Sequence, residues 1–366
     1  MKECGVDEPL SQWFSDYLTA RSYRVKVGST LGDERGVRCG VPQGSGCGPV
    51  CYLLHVDSLC GVLRHCSPHM FADDLCVLRA GAAADLADTC RAVQQDVDAV
   101  VRWSHDNGIV LNSDKTKLLI LHSPYLNPSC SPEPTIVTHD FSCFHNSLFS
   151  CQCKPIERVK CITYLGMRID ENFSWSSHTD YICSKLRVLL VRFYHLRYRV
   201  PISTLKRIYN SLVESIIGYS LDCYGLTFKS NIEKIEKLQT RFLKLLVSNK
   251  TKNKYKNDYY KLFKICKILP ATLRHKYLFL VRQHGNQESN LYQMSHNHGT
   301  RSIAAGKYAA LRVSNYYGDR LIEKRLPYLL NTLPVTIRQE KNKNKFKRPL
   351  FQHYLNTYLS NFCLYK

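Results

Sequence analysis

The sequence predicts an α/β segment followed by an all-helical, strongly basic segment. Up to about residue 122, short strand-like runs alternate with amphipathic helices, which is typical of an α/β layer. From about residue 177 the apolar residues recur almost entirely at helical spacing. The charge divides at nearly the same place. Residues 1–170 hold 16 Lys and Arg against 19 Asp and Glu, whereas residues 171–366 hold 35 against 11.

The α/β segment begins with short elements. We predict a helix over 10–19, a strand over 24–28 and a turn at Gly32-Asp33. Residues 38–49 are dense in Gly and Pro, which indicates a loop whose backbone can approach a ligand closely. A helix follows from about Pro49 to Cys60, because proline suits the first turn of a helix.

A hairpin, a long helix and a strand complete this segment. Residues 69–79 are predicted to form two short strands joined by a tight, acidic turn. A helix over 85–105 begins with acidic residues and has apolar residues every three or four positions, namely Leu86, Cys90, Val93, Val97, Val100 and Trp103. Asn107-Gly108 ends that helix, and residues 117–121 are predicted to be a buried strand.

Residues 123–158 interrupt the pattern as a loop or insertion rich in Pro, Ser, Asn and Cys. It contains one tight cysteine pair, Cys151 and Cys153, with His139, Cys143 and His145 nearby. Zinc sites commonly contain a Cys-x-x-Cys pair, and this spacing occurs nowhere in the chain. We therefore expect a cysteine-rich insertion without a metal, with a zinc site as the weaker alternative.

The second segment starts with a predicted strand over 163–170. Helices are then predicted over 177–199, 202–218, 231–247 and 257–268. Residues 285–300 have the composition of a linker, and the charge run over 341–348 is expected to be a solvated tail. We find no internal repeat.

Composition limits the function classes. Charges or prolines interrupt every apolar run before the 18 or more residues that a membrane span needs, and no apolar signal core follows Met1. We therefore expect an intracellular protein whose 17 cysteines are mostly reduced core residues. The basic residues are spread over several helices among aromatic residues, which favours nucleic acid over a membrane surface as the partner.

Two adjacent aspartates at the hairpin turn are the main candidate site. Like charges side by side repel, so Asp73 and Asp74 are hard to explain by folding alone. Carboxylate oxygens suit Mg²⁺, and two such ions can hold the attacking and leaving oxygens of a phosphoryl displacement. The alternative is a type I′ turn that merely favours Asp.

Other segments in the same order carry a family resemblance. Gly40-Val41-Pro42-Gln43-Gly44-Ser45, followed about 25 residues later by Phe71-Ala72-Asp73-Asp74, resembles motifs B and C of reverse transcriptases. The stretch Trp13 to Gly28 is similar to the region before motif B in non-LTR retrotransposons. Leu111 to Lys117 resembles motif D, and Tyr164 to Ile169 resembles the strand that leads into the thumb. The resemblance covers about residues 10–270.

The resemblance implies a role for each matching residue. Asp73 would bind two catalytic Mg²⁺ ions, with Asp74 beside it in a supporting role. Gln43 and Gly44 would line the nucleotide and template pocket, supported by Ser45. Lys115 or Lys117 would lie near the incoming triphosphate, unless they are surface charges flanking a strand. Leu165 and Gly166 would belong to the primer grip, and Phe71 would pack in the core.

The implied fold is a partial polymerase palm, with an RRM-like sheet and packed helices, over 1–122. The insertion over 123–158 follows, then a primer-grip-like strand region over 159–176. A helical thumb over 177–284 and a basic C-terminal region over 285–366 complete the chain. The implied partners are an RNA template, a DNA primer and nucleoside triphosphates, with no membrane; the oligomeric state is open. After cytoplasmic synthesis the expected location is the nucleus.

One departure bears on activity. The family's first metal carboxylate, in motif A, should precede the Trp13 region and would fall before Met1. We therefore expect the chain by itself to be inactive, although the full-length protein would be an RNA-directed DNA polymerase. The alternatives are a catalytically inactive remnant that still binds nucleic acid and, less favoured, a host-domesticated or maturase-like RNA-binding factor.

Overall fold

The computed structural model describes residues 5–37, 39–125, 135–144, 153–255, 258–284, 307–309, 311–313 and 318–360. The fold is mixed α/β with small sheets, as the sequence predicts. The chain divides into two compact units, Met1–Val159 and Lys160–Lys366. Among the described residues, no helix is both long enough and apolar enough to cross a membrane.

The first unit opens with a helix and two short strand pairs. Helix α1 spans Glu8–Leu18. Strand β1 (Arg21–Tyr23) pairs with β4 (Arg35–Val37), and β2 (Lys26–Val27) pairs with β3 (Thr30–Leu31), both antiparallel. The predicted turn at Gly32-Asp33 is wrong, because the chain reverses at Gly28-Ser29. Gly28 there has φ +61°, which glycine adopts without strain.

Two helices and a hairpin form the core of the first unit. Helix α2 (Gly48–Val56) continues as a 3₁₀ turn over Asp57–Val62, so the predicted helix to Cys60 is α-helical only as far as Val56. Strands β5 (Ser67–Phe71) and β6 (Asp74–Leu78) form the expected hairpin. Helix α3 (Leu86–Asp106) ends before Gly108, as predicted. The buried residues that join these elements are Val56, Leu59, Val100 and Trp103.

The strand after α3 is shorter and less buried than predicted. Strand β7 contains only Lys117–Leu118, both half-buried, and pairs in parallel with β8 (Glu157–Arg158). Its partner lies beyond the insertion, so neighbouring sequence could not indicate the pairing. All strands of the described residues form two-stranded sheets, which differs from the expected RRM-like sheet.

The second unit begins with a hairpin where the sequence predicted one strand. Strands β9 (Cys161–Tyr164) and β10 (Met167–Asp170) are antiparallel and joined at Leu165-Gly166. Both turn residues have positive φ, +45° and +77°, as a type I′ turn requires. The Asp170 carboxylate then accepts hydrogen bonds from the backbone N–H groups of Ser174 and Trp175, each 2.7 Å long, immediately before the next helix.

The second unit is helical after β10, with helices α4 (Ser176–Leu196), α5 (Ile202–Ile208), α6 (Glu214–Gly218), α7 (Leu221–Tyr224), α8 (Lys229–Leu245), α9 (Asn249–Lys254), α10 (Tyr259–Cys266) and α11 (Ala271–Gln283). Of these, α4, α5 with α6, α8 and α10 correspond to the predicted helices over 177–199, 202–218, 231–247 and 257–268, whereas α7, α9 and α11 were not predicted. A π-helical turn over 209–213 joins α5 to α6, so the predicted helix over 202–218 is continuous but irregular. Helices α4 and α8 pack together through fully buried side chains such as Leu186, Ile235 and Phe242.

The C-terminal charge run is helical and packed, so the expectation of a solvated tail over 341–348 is wrong. Helices α12 (Ile322–Asn331), α13 (Val335–Arg338) and α14 (Lys343–Ser360) follow in order. Phe346, Leu350 and Tyr354 recur at helical spacing on α14 and are buried against Leu280 of α11 and Leu330 of α12. The basic residues occupy the remaining faces of α14. The linker predicted over 285–300 lies outside the described residues.

Candidate active site

The aspartate pair lies at the tip of the β5–β6 hairpin. Phe71 pairs with Asp74, so Ala72 and Asp73 are the two turn residues. Of these two, only Ala72 has positive φ, +52°, so the turn is not the type I′ turn considered from the sequence. A left-handed alanine is strained by about 1–2 kcal/mol. The turn therefore places the exposed Asp73 and Asp74 carboxylates at the tip of the hairpin.

The face of the hairpin that packs on α2 and α3 is fixed by strand alternation. Met70 and Leu75 pack against the core, whereas Phe71 points to the other face and is 63% exposed. The expectation that Phe71 packs in the core is therefore wrong. Its position beside the aspartates leaves an exposed aromatic ring next to the carboxylates.

Tyr52 of α2 lies close enough to Asp73 to feel its charge, and it was not selected from the sequence. It packs on the same core as Met70 and Leu75. Burial raises the pKa of its hydroxyl, and the nearby negative charge of Asp73 raises it further. Tyr52 therefore remains a neutral phenol at physiological pH, able to donate a hydrogen bond near the aspartate.

The Gln43-Gly44-Ser45 segment forms a tight turn at the start of α2. The Ser45 N–H donates to the Pro42 carbonyl over 3.4 Å, and Gly44 has φ +82°, which is typical of a type II turn. Ser45 Oγ in turn accepts from the Gly48 N–H at 3.0 Å and so satisfies a donor of the first helical turn. The Gln43 side chain is exposed and lies on the same helix–loop element as Tyr52.

The two candidate lysines have different surroundings. Lys115 is exposed in a turn in which its backbone N–H donates to Asn112. Lys117, on β7, makes a 2.6 Å ion pair with Glu157 of β8 and is 30% exposed. Lys117 thus fixes the strand pair at its charged end, whereas Lys115 has the greater freedom to reach a ligand. Leu111, at the start of the 111–117 segment that contains both lysines, packs against the core that also contacts the hairpin.

A buried carboxylate fixes the loop that leads into the hairpin. Asp96 of α3 accepts backbone hydrogen bonds from Arg64, His65 and Cys66 at 2.9, 2.9 and 2.7 Å. Burial acts to raise the pKa of Asp96, but these three donors outweigh it and lower the pKa. Burial and a thiol hydrogen bond to this carboxylate also raise the pKa of Cys66 to about 12. Sequence reasoning missed Asp96, although an acid between Val93 and Val100 on the apolar face was an available signal.

The predicted primer-grip residues lie in the second unit. Leu165 and Gly166 form the β9–β10 turn, and the Tyr219 hydroxyl donates to the Leu165 carbonyl at 2.5 Å. A Cβ on Gly166 would lie 3.4 Å from the Tyr219 ring. Because Gly166 has no side chain, the Tyr219 ring can pack over the turn. Both residues belong to the second unit.

The insertion holds a second cluster. Ligand atoms of His139, Cys143 and Cys153 all lie within 4.8 Å of one another. The fold thus brings Cys153 close to His139 and Cys143, ten or more positions away, so the zinc site considered as the weaker alternative has a candidate set of ligands. Cys151 and His145, the other residues noted in the sequence, lie outside the described residues.

Comparison with known proteins finds a family match that covers the first unit. Residues 1–169 match the family model of reverse transcriptase (RNA-dependent DNA polymerase). This match contains the Gln43 turn, the aspartate hairpin and the β7 segment. The first unit is thus similar to reverse transcriptases over its whole length.

The chain is also similar to mobile-element proteins of Drosophila melanogaster. A probable RNA-directed DNA polymerase from transposon X-element is 25% identical over 238 residues, which cover 63% of this chain and 24% of the relative. The RNA-directed DNA polymerase from mobile element jockey is 25% identical over 240 residues, which cover 62% of this chain and 24% of the relative. The chain thus spans about a quarter of the length of these relatives. No solved structure matches it significantly.

Proposed function

We propose that this chain is the palm-to-thumb part of a non-LTR retrotransposon reverse transcriptase, and that the full-length protein is an RNA-directed DNA polymerase. The observation that carries the proposal is the β5–β6 hairpin, which presents two exposed aspartates at its tip, Asp73 in the strained two-residue turn and Asp74 at the start of β6. The family match over residues 1–169 supports the same reaction class. The proposed reaction is attack of a primer 3′ hydroxyl on the α-phosphate of a nucleoside triphosphate.

The carboxylates of the hairpin tip fit a divalent metal such as Mg²⁺. Asp73 and Asp74 offer only oxygen donors, which Mg²⁺ prefers, and both are exposed, so phosphate oxygens and water can complete the coordination. Asp73, at the turn, would be the principal ligand and Asp74 the supporting one. Two bound ions would stabilise charge on the attacking and leaving oxygens.

The remaining residues of the first unit would bind and orient the nucleotide. The exposed Gln43 side chain and the backbone at Gly44 would contact the sugar, base or template, and Ser45 holds their turn against α2. The neutral Tyr52 hydroxyl would donate a hydrogen bond close to Asp73. Lys115 would offset triphosphate charge, while Lys117 holds β7 to β8.

The second unit would supply primer and template binding. The β9–β10 turn at Leu165-Gly166 would contact the primer end, and the helices after it would form the thumb. The surplus of 35 Lys and Arg over 11 Asp and Glu in residues 171–366 supports a nucleic-acid role. Such a protein would act on RNA and DNA in the nucleus.

Primer extension on an RNA template tests the proposal. The purified chain and the proposed full-length protein are compared with a labelled DNA primer in Mg²⁺ and in Mn²⁺. We expect extension by the longer protein and a loss on the order of 1,000-fold or more for Asp73→Asn. The matched control is Asp88→Asn, which removes an exposed aspartate of α3 that pairs with the exposed Arg91.

Two results would contradict the polymerase assignment. One is equal extension by the wild-type protein and Asp73→Asn, and the other is no extension by the longer protein with either metal. Extension by the longer protein but not by the chain alone would limit this segment to binding. In that case a filter-binding titration should show log affinity falling linearly with log salt.

A further inference from the structure

The insertion is anchored to the first unit on both sides of the His139 cluster. The Gln94 side chain of α3 accepts from the Val137 N–H at 2.7 Å and donates to the Val137 carbonyl at 2.8 Å. Val137 also forms an antiparallel bridge with Pro155, and Ile136 is almost fully buried. The two arms, 135–144 and 153–156, are therefore held side by side.

Beyond this bridge the arms carry three side chains that bind transition metals well. His139 and Cys143 come from one arm, with Cys143 in a 3₁₀ turn over Phe141–Phe144, and Cys153 comes from the other. The turn is held by the Cys143 N–H, which donates to the Asp140 carbonyl at 2.9 Å. The Phe141 ring stacks on His105 of α3 at 3.4 Å. Both contacts orient the turn that presents Cys143.

The distances fit tetrahedral coordination. Cys143 Sγ and Cys153 Sγ are 3.5 Å apart, close to the roughly 3.8 Å expected for two thiolates at about 2.3 Å from one zinc ion. A disulfide would need about 2.05 Å. A ring nitrogen of His139 lies within 4.8 Å of both sulfurs. The Asp140 N–H donates to Cys153 Sγ at 3.2 Å, as backbone donors commonly do to metal-bound thiolates.

We infer that His139, Cys143 and Cys153 bind one zinc ion that closes the insertion. The donor set of one imidazole and two thiolates selects zinc over Mg²⁺, so this ion is distinct from any bound at Asp73. Both cysteines bind as thiolates and release their protons to solvent. The fourth position is taken by water or another donor. The role is structural, because the ion joins arms separated by ten positions without involving the hairpin tip.

Metal content and spectroscopy test the site in the full chain. The protein is dialysed against zinc, freed of loose metal, and its zinc content is measured by mass spectrometry. We expect one zinc per chain in the wild type. In Cys143→Ser/Cys153→Ser the zinc affinity should fall by more than about 100-fold. Loss of a group that only supports a metal ligand already lowers affinity by up to about 100-fold, and this variant removes two ligands. Cobalt in place of zinc should give sulfur-to-metal charge-transfer absorption that this double variant lacks.

Two controls keep the inference falsifiable. Cys39→Ser/Cys161→Ser removes two exposed cysteines elsewhere and should retain the zinc and the cobalt spectrum. Hydrogen exchange in the wild type should slow on zinc binding at the Asp140 and Cys143 amides, while the Val137 amide, held by Gln94, should not change. Zinc lost equally from both double variants, no cobalt–sulfur absorption, or a Cys143–Cys153 disulfide after purification under mild conditions would each overturn it.

Discussion

Removal of the Asp96 carboxylate should release the loop that leads into the β5–β6 hairpin. Asp96 is 2% exposed and is hydrogen-bonded to three successive backbone N–H groups, of which Cys66 immediately precedes β5. A hydrogen bond to a charged group contributes about 1.5 kcal/mol or more. Because Arg64 and His65 are exposed, water can partly replace the carboxylate. We therefore expect Asp96→Ala to cost about 3 kcal/mol.

Asp96→Asn should have an intermediate effect for a geometric reason. Asp96 Oδ2 accepts from both His65 and Cys66, and Oδ1 accepts from Arg64. An asparagine can keep its oxygen on the first two donors, but its amide then points at the Arg64 N–H. One bond is lost and two donors face each other, at a cost of about 1–2 kcal/mol.

Hydrogen exchange of the His65 and Cys66 amides measures this directly. About 1.4 kcal/mol corresponds to a tenfold change in the exchange rate. Protection of these two amides against exchange should therefore fall roughly 100-fold in Asp96→Ala and about tenfold in Asp96→Asn. Asp88→Asn, on the exposed face of α3, should leave it unchanged. Unchanged protection in both Asp96 variants would refute the reasoning, as would equal loss in all three.

The lowered pKa of Asp96 sets the pH range of this effect. The unfolded chain binds a proton at about pH 4, whereas the folded carboxylate does so only at lower pH. The stabilisation by the Asp96 carboxylate is therefore present above about pH 4, and it is lost as the pH falls through the lower pKa of this group in the folded chain. The wild-type amides should lose protection in that acid range, and Asp96→Asn should show no such step.

Two further predictions concern the hairpin turn and the second unit. Ala72→Gly should stabilise the β5–β6 hairpin by about 0.5–1 kcal/mol, because glycine relieves the left-handed strain at φ +52°; slower exchange of the β5 amides would show this, and faster exchange would contradict it. Burial lowers the pKa of His275 to about 3, so between pH 6.5 and 3 only the unfolded state gains its proton. The free energy of unfolding of the second unit should fall as the pH drops through this range, by about 1.4 kcal/mol per pH unit, and His275→Gln should flatten the slope.

Local periodicity was enough to predict the hairpin at 69–79, helix α3 and the four helical stretches of the second unit over 177–199, 202–218, 231–247 and 257–268. Each depends on contacts between near neighbours in sequence, and the apolar spacing records them. The same periodicity was available on α14, where Phe346, Leu350 and Tyr354 recur every four residues. The density of lysine in 341–348 concealed it, because a charge run on one face of a helix does not exclude burial of another.

Features formed by distant residues were not predictable in this way. The β7–β8 pair joins residues 40 positions apart, and Asp96 holds amides about 30 positions away. The His139 cluster depends on the Val137–Pro155 bridge, which no local spacing encodes. The exposure of Phe71 was knowable from strand alternation once Met70 and Leu75 were assigned to the core face.

The polar residues of α3 position the candidate site as much as its apolar stripe does. Gln94 holds the insertion through Val137, Asp96 holds the loop before β5, and Trp103 Nε1 donates to Ser58 Oγ in the turn after α2. Gln94 and Asp96 are two positions apart, so they point in different directions from the helix. One helix thereby fixes segments on either side of the hairpin, and a change at Asp96 should move the aspartate tip while the Gln94 contacts to the insertion remain.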